Sequence, residues 1–248
     1  MAVAIRTPAN PPVDVLFRSK ELIDSDGEPL DSDWHLKAMN LLIDSVTHHR
    51  RGRTDYYCGG NMFIYYQKDP PERRKFRGPD FFFVEGVELR PRRFWVVWEE
   101  GGRFPDMIME ILSPRTARID LTVKKDIYEQ KFRTPEYVCY DPAKNKLHGW
   151  RLVRGRFQPI TPNDQGWLWS ERLQLWVGTW VGEIGADLNT WARFYDAQGR
   201  LVLTREEALS AEVGTLEAEV AHLKARLAEA EGKPPVSRSK KKHDNGKS

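Results

Sequence analysis

Apolar residues recur along the first two hundred positions with two different periods, and the switches between them set the expected elements. Over 34–49, Leu36, Met39, Leu42, Ile43 and Val46 fall at helical spacing behind Asp33, which stands where a cap belongs. A helix is therefore expected over 34–49. Residues 56–67, with Gly59-Gly60 ahead of Met62, Phe63, Ile64, Tyr65 and Tyr66, read as a first strand. Short apolar runs at 81–84, 94–98 and 107–112, each bounded by turn residues, predict further strands. From about Ile119 the helical period returns and lasts to Arg133, putting Asp120, Lys124 and Tyr128 on one face. Lys125 is rotated by about 100° from Lys124 and faces elsewhere. A buried strand at 137–140, a hairpin of 146–153 and 155–160 about Arg154-Gly155, β structure over 165–180 and a strand and turn at 191–199 complete this region.

The C-terminal piece differs in kind. Leu209, Val213, Leu216, Val220, Leu223 and Leu227 follow the alternating four-and-three spacing of a coiled-coil seam. About three heptads make a marginal helix in isolation, so pairing with a second copy or a partner is expected. The alternative is a stripe lying on the domain's own surface. The divisions are an irregular segment over 1–33, an α/β domain over 34–203, a coiled-coil helix over 204–231 and a disordered basic tail over 232–248.

Composition narrows the function classes. The chain has 248 residues and 40% hydrophobic content, enough for one large core. Its two cysteines, Cys58 and Cys139, have neither a disulfide framework's density nor zinc-site spacing. No run approaches a membrane span and no apolar leader is present, so a soluble, cytoplasmic protein is expected. The net charge of +3 misleads as a nucleic-acid clue. Residues 232–248 carry six Lys or Arg against one Asp, an excess of +5, and taking +5 from +3 leaves −2 for residues 1–231. A nucleic-acid surface on the domain must therefore be local, with 48–53 and 73–77 as candidates, although such runs are more often solvated loops.

Candidate chemistry starts with Glu110, a carboxylate inside the apolar run 107–112. Strand alternation puts Ile108, Glu110 and Leu112 on one face and Met107, Met109 and Ile111 on the other. An acid there needs a cation, a set of hydrogen bonds or a raised pKa; a structural carboxylate held by an arginine is the plain alternative. A second acid, Asp80, directly precedes the run at 81–84, and Pro79 before it suits a strand start because it lacks the N–H of a ladder. Adjacent strands would bring both acids together as hard oxygen ligands for Mg²⁺, with an ammonium from the next helix beside them. Asp106 repeats the Pro-Asp pair, yet four strand residues from Glu110 is roughly 13 Å, so it is given a structural role. Asp44 is weighed as a third carboxylate and read as an exposed helical acid.

Pro79-Asp80, the strand with Glu110, the Glu-Ile-Leu-Ser-Pro-Arg-Thr run of 110–116, the helix with Asp120, Lys124, Lys125 and Tyr128, and Pro135-Glu136-Tyr137 together resemble the Uma2-like restriction-endonuclease family abundant in cyanobacteria, within the PD-(D/E)XK nuclease superfamily. The resemblance covers about 34–203. It implies a restriction-endonuclease-like mixed β-sheet flanked by helices, with Asp80, Glu110 and the Ile111 carbonyl binding Mg²⁺ or Mn²⁺. The superfamily's lysine two residues after the acid is missing, since Leu112 stands there. In this family the lysine moves to the next helix, which makes Lys124 the matching position and Lys125 the lesser candidate. The expected activity is metal-dependent hydrolysis of nucleic acid, DNA before RNA. The other class is an inactive nuclease-fold module that binds DNA or protein and dimerises through 204–231.

Overall fold

The computed structural model describes residues 32–67 and 75–231. The expected irregular segment to residue 31, the basic tail 232–248 and the cations Arg73 and Arg74 lie outside the described residues. The chain divides into two compact units between Arg205 and Glu206.

In the first unit, helix α1 (Asp33–His49) leads into β1 (Tyr56–Gly59), β2 (Ile64–Gln67), β3 (Lys75–Arg77), β4 (Phe81–Glu85), β5 (Trp95–Val96) and β6 (Met107–Ile111). A helix over 117–132, α2, is followed by β7 (Glu136–Asp141), β8 (Lys146–Val153), β9 (Arg156–Pro159), β10 (Leu168–Ser170), β11 (Leu175–Ile184) and β12 (Asp187–Tyr195). Among the described residues the main sheet has six strands in the order β1-β4-β6-β7-β8-β9, with only β6 and β7 parallel. Those two are joined by α2, as a parallel crossover requires. Smaller sheets, β10-β11-β12 and β3-β2-β5, lie beside it.

Period-two alternation in the central strands builds two cores. Phe81, Phe83, Met107, Met109 and Ile111 pack with the buried face of α1 and with β10–β12, including Trp191 and Phe194. Phe82, Val84, Ile108 and Leu112 pack on the other side with Tyr128 and Phe132 of α2 and with Ile64 and Trp95. Both faces of β4 and β6 are covered, so these strands read as unbroken apolar runs. Each buried Leu, Ile or Phe contributes about 1.5–3 kcal/mol by leaving water.

Three expectations change in detail. The cap of α1 is Ser32, whose hydroxyl accepts from the His35 N–H at 3.1 Å, while Asp33 lies inside the first turn. Residues 56–67 form two strands: after β1 the chain turns through Gly60 and Asn61, with Asn61 at φ 47°, and β2 joins a different sheet. Helix α2 begins at Ala117, two residues before Ile119.

The end of the sheet remote from the site is pinned by buried charge. Glu136 accepts from Ser170 Oγ, from the Glu171 N–H at 2.8 Å and from Arg151 at 3.3 Å, clamping the β10–β11 turn to β7. Arg50, buried at the end of α1, donates to Glu85 at 2.8 Å and to the carbonyls of Arg172 and Leu173, with its guanidinium over the Phe83 ring. Arg53 pairs with Asp55 and Glu85. Within the basic run 48–53 only Arg50 is drawn into the fold; His49, Arg51, Gly52 and Arg53 stay exposed. Asp106 accepts from the Glu85 N–H at 2.9 Å, the structural role assigned to it.

Removing the Glu136 carboxylate strands the Ser170 hydroxyl and two amides, while Arg151 keeps Glu171 and the Trp169 carbonyl. Glu136→Ala is expected to cost about 2–4 kcal/mol in urea unfolding. A loss below about 1 kcal/mol contradicts the clamp.

Candidate active site

Every atom of the site is placed by backbone constraints visible in the fold. Register pairs Phe81 with Met109, so Asp80, one residue upstream, comes level with Glu110 where β4 begins. Pro79 offers no N–H or side-chain acceptor to the end of β6, and the Asp80 carboxylate supplies one: its Oδ2 accepts from the Ile111 N–H at 2.6 Å. The other oxygen, Oδ1, accepts from His35 Nε2 at 2.9 Å. Gly60 makes room for this turn, because a Cβ there would fall 2.0 Å from the Asp80 carbonyl oxygen. A strand residue turns its N–H and C=O to the same edge, so the Ile111 carbonyl faces the β4 side, where Asp80 lies.

Glu110 lies wholly inside the second core, with a side chain 1% exposed. Its Oε1 accepts from the Tyr128 hydroxyl at 2.9 Å and its Oε2 lies 3.0 Å from Lys124 Nζ. The same ammonium sits 2.8 Å from Asp120, itself buried. Helix α2 brings these groups down on the strand because Asp120, Lys124 and Tyr128 share one face. Residues 120–124 and 128–132 take π-helical hydrogen bonding. One contribution is local: Thr122 Oγ1 donates at 2.6 Å to the Arg118 carbonyl, the acceptor that the Thr122 N–H would use in an α-helix. Tyr137 of β7 donates to the Asp120 carbonyl at 2.9 Å and anchors this wide turn to the sheet. Lys125 faces away and stacks over the Trp150 ring at 4.2 Å.

The structure therefore brings Glu110, Lys124, Asp120 and Tyr128 into direct contact, with Asp80 bonded to the residue after Glu110. It leaves Lys125, Asp106 and the exposed Asp44 elsewhere. His35 is the residue that the sequence reading missed. It occupies the same α1 face as Ala38, Met39 and Leu42, and an ionisable residue in register with an apolar stripe was the available signal.

Electrostatics follow from burial. Desolvation pushes the Glu110 carboxyl up to about 8; the Lys124 ammonium pulls it down, while Asp80 and Asp120 push the same way as burial. Burial opposes the charge on Lys124, but Glu110, Asp120 and Asp80 outweigh it and hold the lysine above its ordinary value. Desolvation first, then Glu110, holds the Tyr128 hydroxyl well above the usual phenol, so it stays a donor. Glu110 and Asp120 thus share the Lys124 ammonium, while Asp80, held by His35 and the Ile111 N–H, acts on both through its charge. The side chains of Asp80 and Lys124 are 17% and 19% exposed, so the cluster opens toward solvent between them.

This donor set fits a hard divalent cation. Asp80, Glu110 and the Ile111 carbonyl offer oxygen alone, and a dication would offset the desolvation, and after it the neighbouring acids, that lift Glu110. Among the described residues no three His, Cys, Asp or Glu side chains converge into a metal cage. What these residues offer is two carboxylates and a carbonyl, oxygen donors of the kind Mg²⁺ takes with retained waters.

A family model described as "Uma2: Putative restriction endonuclease" matches residues 20–188. Among solved structures, a protein titled a "putative nuclease" from Anabaena variabilis aligns with a TM-score of 0.40 and 14% identity, over 56% of this chain and 76% of that one. No curated protein matches the chain.

The raised Glu110 carboxyl has a consequence for stability. Between the ordinary value of 4.5 and about 8, the folded chain keeps a proton that the unfolded chain has released. Stability must then fall as pH rises through that window and level off above it. Thermal unfolding from pH 4.5 to 9 without divalent ions should show this decline in the wild type, by a few kcal/mol in all. In Glu110→Gln the decline should be much shallower; equal slopes contradict the assignment.

Proposed function

This chain belongs to the Uma2 family of restriction-endonuclease type, and from that premise we propose that it is a divalent-metal-dependent endonuclease of the PD-(D/E)XK kind that hydrolyses phosphodiester bonds in DNA. The observation that carries the reading is the Lys124 ammonium, held 3.0 Å from Glu110 and 2.8 Å from Asp120 beside the Asp80 carboxylate. A structural carboxylate needs one partner. This cluster instead sets two acids on one lysine, with the Asp80 carboxylate held nearby by His35 and the Ile111 N–H, and opens to solvent at its edge.

Asp80, Glu110 and the Ile111 carbonyl would hold Mg²⁺ or Mn²⁺, which when bound polarises a phosphate and acidifies a water. Lys124 stays protonated at neutral pH, so it acts as a donor and not as a base. Its ammonium orients the attacking water or takes the charge that develops on the phosphate oxygens. Asp120 fixes that ammonium from the preceding turn, and Tyr128 fixes the Glu110 carboxylate by donating to Oε1. These two are positioning residues. Their removal weakens cutting without abolishing it.

The second compact unit contributes assembly. Helix α3 (Arg205–Glu231) leaves Leu209, Val213, Leu216, Val220, Leu223 and Leu227 between 48% and 59% exposed along one stripe. In heptad terms Leu209, Leu216 and Leu223 fall at d, with Val213, Val220 and Leu227 at a. Branched valine at a with leucine at d favours a two-stranded parallel pair. A second copy of the chain is the occupant that this pattern fits, giving a homodimer. Glu219 at g also lies opposite the partner helix's e position, which is Lys224 in each copy. The Glu212 and Glu217 positions oppose each other in that pairing, so the charges moderate its strength and the a and d layers decide it.

Cleavage of single-stranded, double-stranded and branched DNA, with RNA in parallel, tests the activity. Mg²⁺ or Mn²⁺ should be required, and Glu110→Ala should abolish cutting. Lys124→Met should lose about 10²–10³-fold in kcat, and Lys125→Met should stay within a few-fold of wild type. Full cutting by Glu110→Ala, or equal losses at both lysines, contradicts the reading. Cutting of RNA alone reassigns the substrate. Sedimentation tests the pairing independently: the wild type should be a dimer and Leu216→Lys a monomer, whereas identical sedimentation of the two contradicts self-pairing through α3.

A further inference from the structure

The Asp80 carboxylate is fixed from two directions, and one of them has no part in the reaction outlined above. Ile111 N–H holds Oδ2 at 2.6 Å from the end of β6, and His35 Nε2 holds Oδ1 at 2.9 Å from the first turn of α1. Since a carboxylate only accepts from the ring, Nε2 is the protonated nitrogen that donates. His35 is itself held rigidly: it is 7% exposed, and its backbone N–H is tied at 3.1 Å to the Ser32 hydroxyl that caps the helix. The capped turn and the strand edge therefore act as two jaws on one small side chain. Each Asp80 oxygen spends one lone pair on a jaw and keeps another, so the carboxylate plane is set before any cation arrives.

We propose that His35 is a positioning residue for the cation site, turning Asp80 so that its remaining lone pairs face Glu110 and the Ile111 carbonyl. This rests on the metal-dependent reading and deepens it: α1 becomes part of the site, through a donor that touches the ligand and not the ion. Such outer partners of a metal ligand typically set affinity by 10–100-fold. Packing of α1 onto the sheet would need no polar contact at this point, because Ala38, Met39, Leu42 and Val46 already bury the helix face.

The test is calorimetric titration of the full chain with MgCl₂ and with MnCl₂, alongside thermal unfolding of each variant. His35→Ala should bind 10–100-fold more weakly than wild type. His35→Gln, whose amide offers an N–H at nearly the position of Nε2, should recover most of the affinity. Cutting by His35→Ala should fall in kcat at saturating DNA and limiting metal, with KM for DNA unchanged and the loss relieved by excess Mn²⁺. Equal cation affinity in wild type and His35→Ala overturns the proposal and leaves the metal site standing. A wild type that binds neither cation overturns both. If His35→Ala does not fold, His35→Gln against His35→Leu decides: equal affinity in these two excludes a role for the donor.

Discussion

One ammonium shared between buried carboxylates is the interaction on which this active-site region depends. Lys124 is the charge that makes Glu110 and Asp120 tolerable inside an apolar core, and the two acids in turn keep the lysine protonated there. Removing any one of the three takes a partner from the others in a nearly dry site, at a cost of several kcal/mol. The strand supplies Glu110, the helix supplies Asp120 and Lys124, and the electrostatic coupling fixes the distance between strand and helix. The π-helical turns of α2, the Tyr137 bond to the Asp120 carbonyl and the Tyr128 bond to Glu110 all serve that spacing.

The same arrangement explains why the fold places its other charges where it does. Glu136, Asp106 and the Arg50–Glu85 pair sit toward the opposite end of the central strands, and each finds enough donors or acceptors to be satisfied. At the site end the balance differs: Glu110 and Asp120 share one lysine, and Asp80 adds a third acid nearby, held by His35 and the Ile111 N–H. That inequality separates a site from a structural ion pair: burial alone raises Glu110, and Asp80 and Asp120 raise it further when they could have been omitted. On the proposed reading, a divalent cation would supply the positive charge that a phosphodiester meets beside Lys124.

Much of this was legible in the sequence because the central strands obey strict alternation. Glu110 in the run 107–112 could only point with Ile108 and Leu112, and the four-residue spacing of Asp120, Lys124 and Tyr128 survives even where the helix widens to π geometry. Lys125 could be set aside by its rotation alone, and it is found against Trp150. What was not legible depended on contacts distant in the chain. Residues 56–67 have one continuous β-like pattern, yet Gly60 and Asn61 divide them between two sheets, because the Asp80 backbone comes too close to Gly60 for any side chain. His35 lies 45 positions from Asp80, and no local rule joins a helix's first turn to a distant strand start. The basic run 48–53 reads mainly as solvated loop, and His49, Arg51 and Arg53 are exposed; what no local pattern reveals is Arg50, drawn inward to Glu85 from 35 positions away.

The proposed function requires one divalent ion among Asp80, Glu110 and the Ile111 carbonyl. Anomalous diffraction from crystals grown with Mn²⁺ locates such an ion directly. A single strong peak within bonding distance of those three oxygens, with Lys124 Nζ beside it and not bound to it, is the predicted result. A map with no peak there under saturating Mn²⁺, or with the Lys124 ammonium standing in the ion's place, contradicts it.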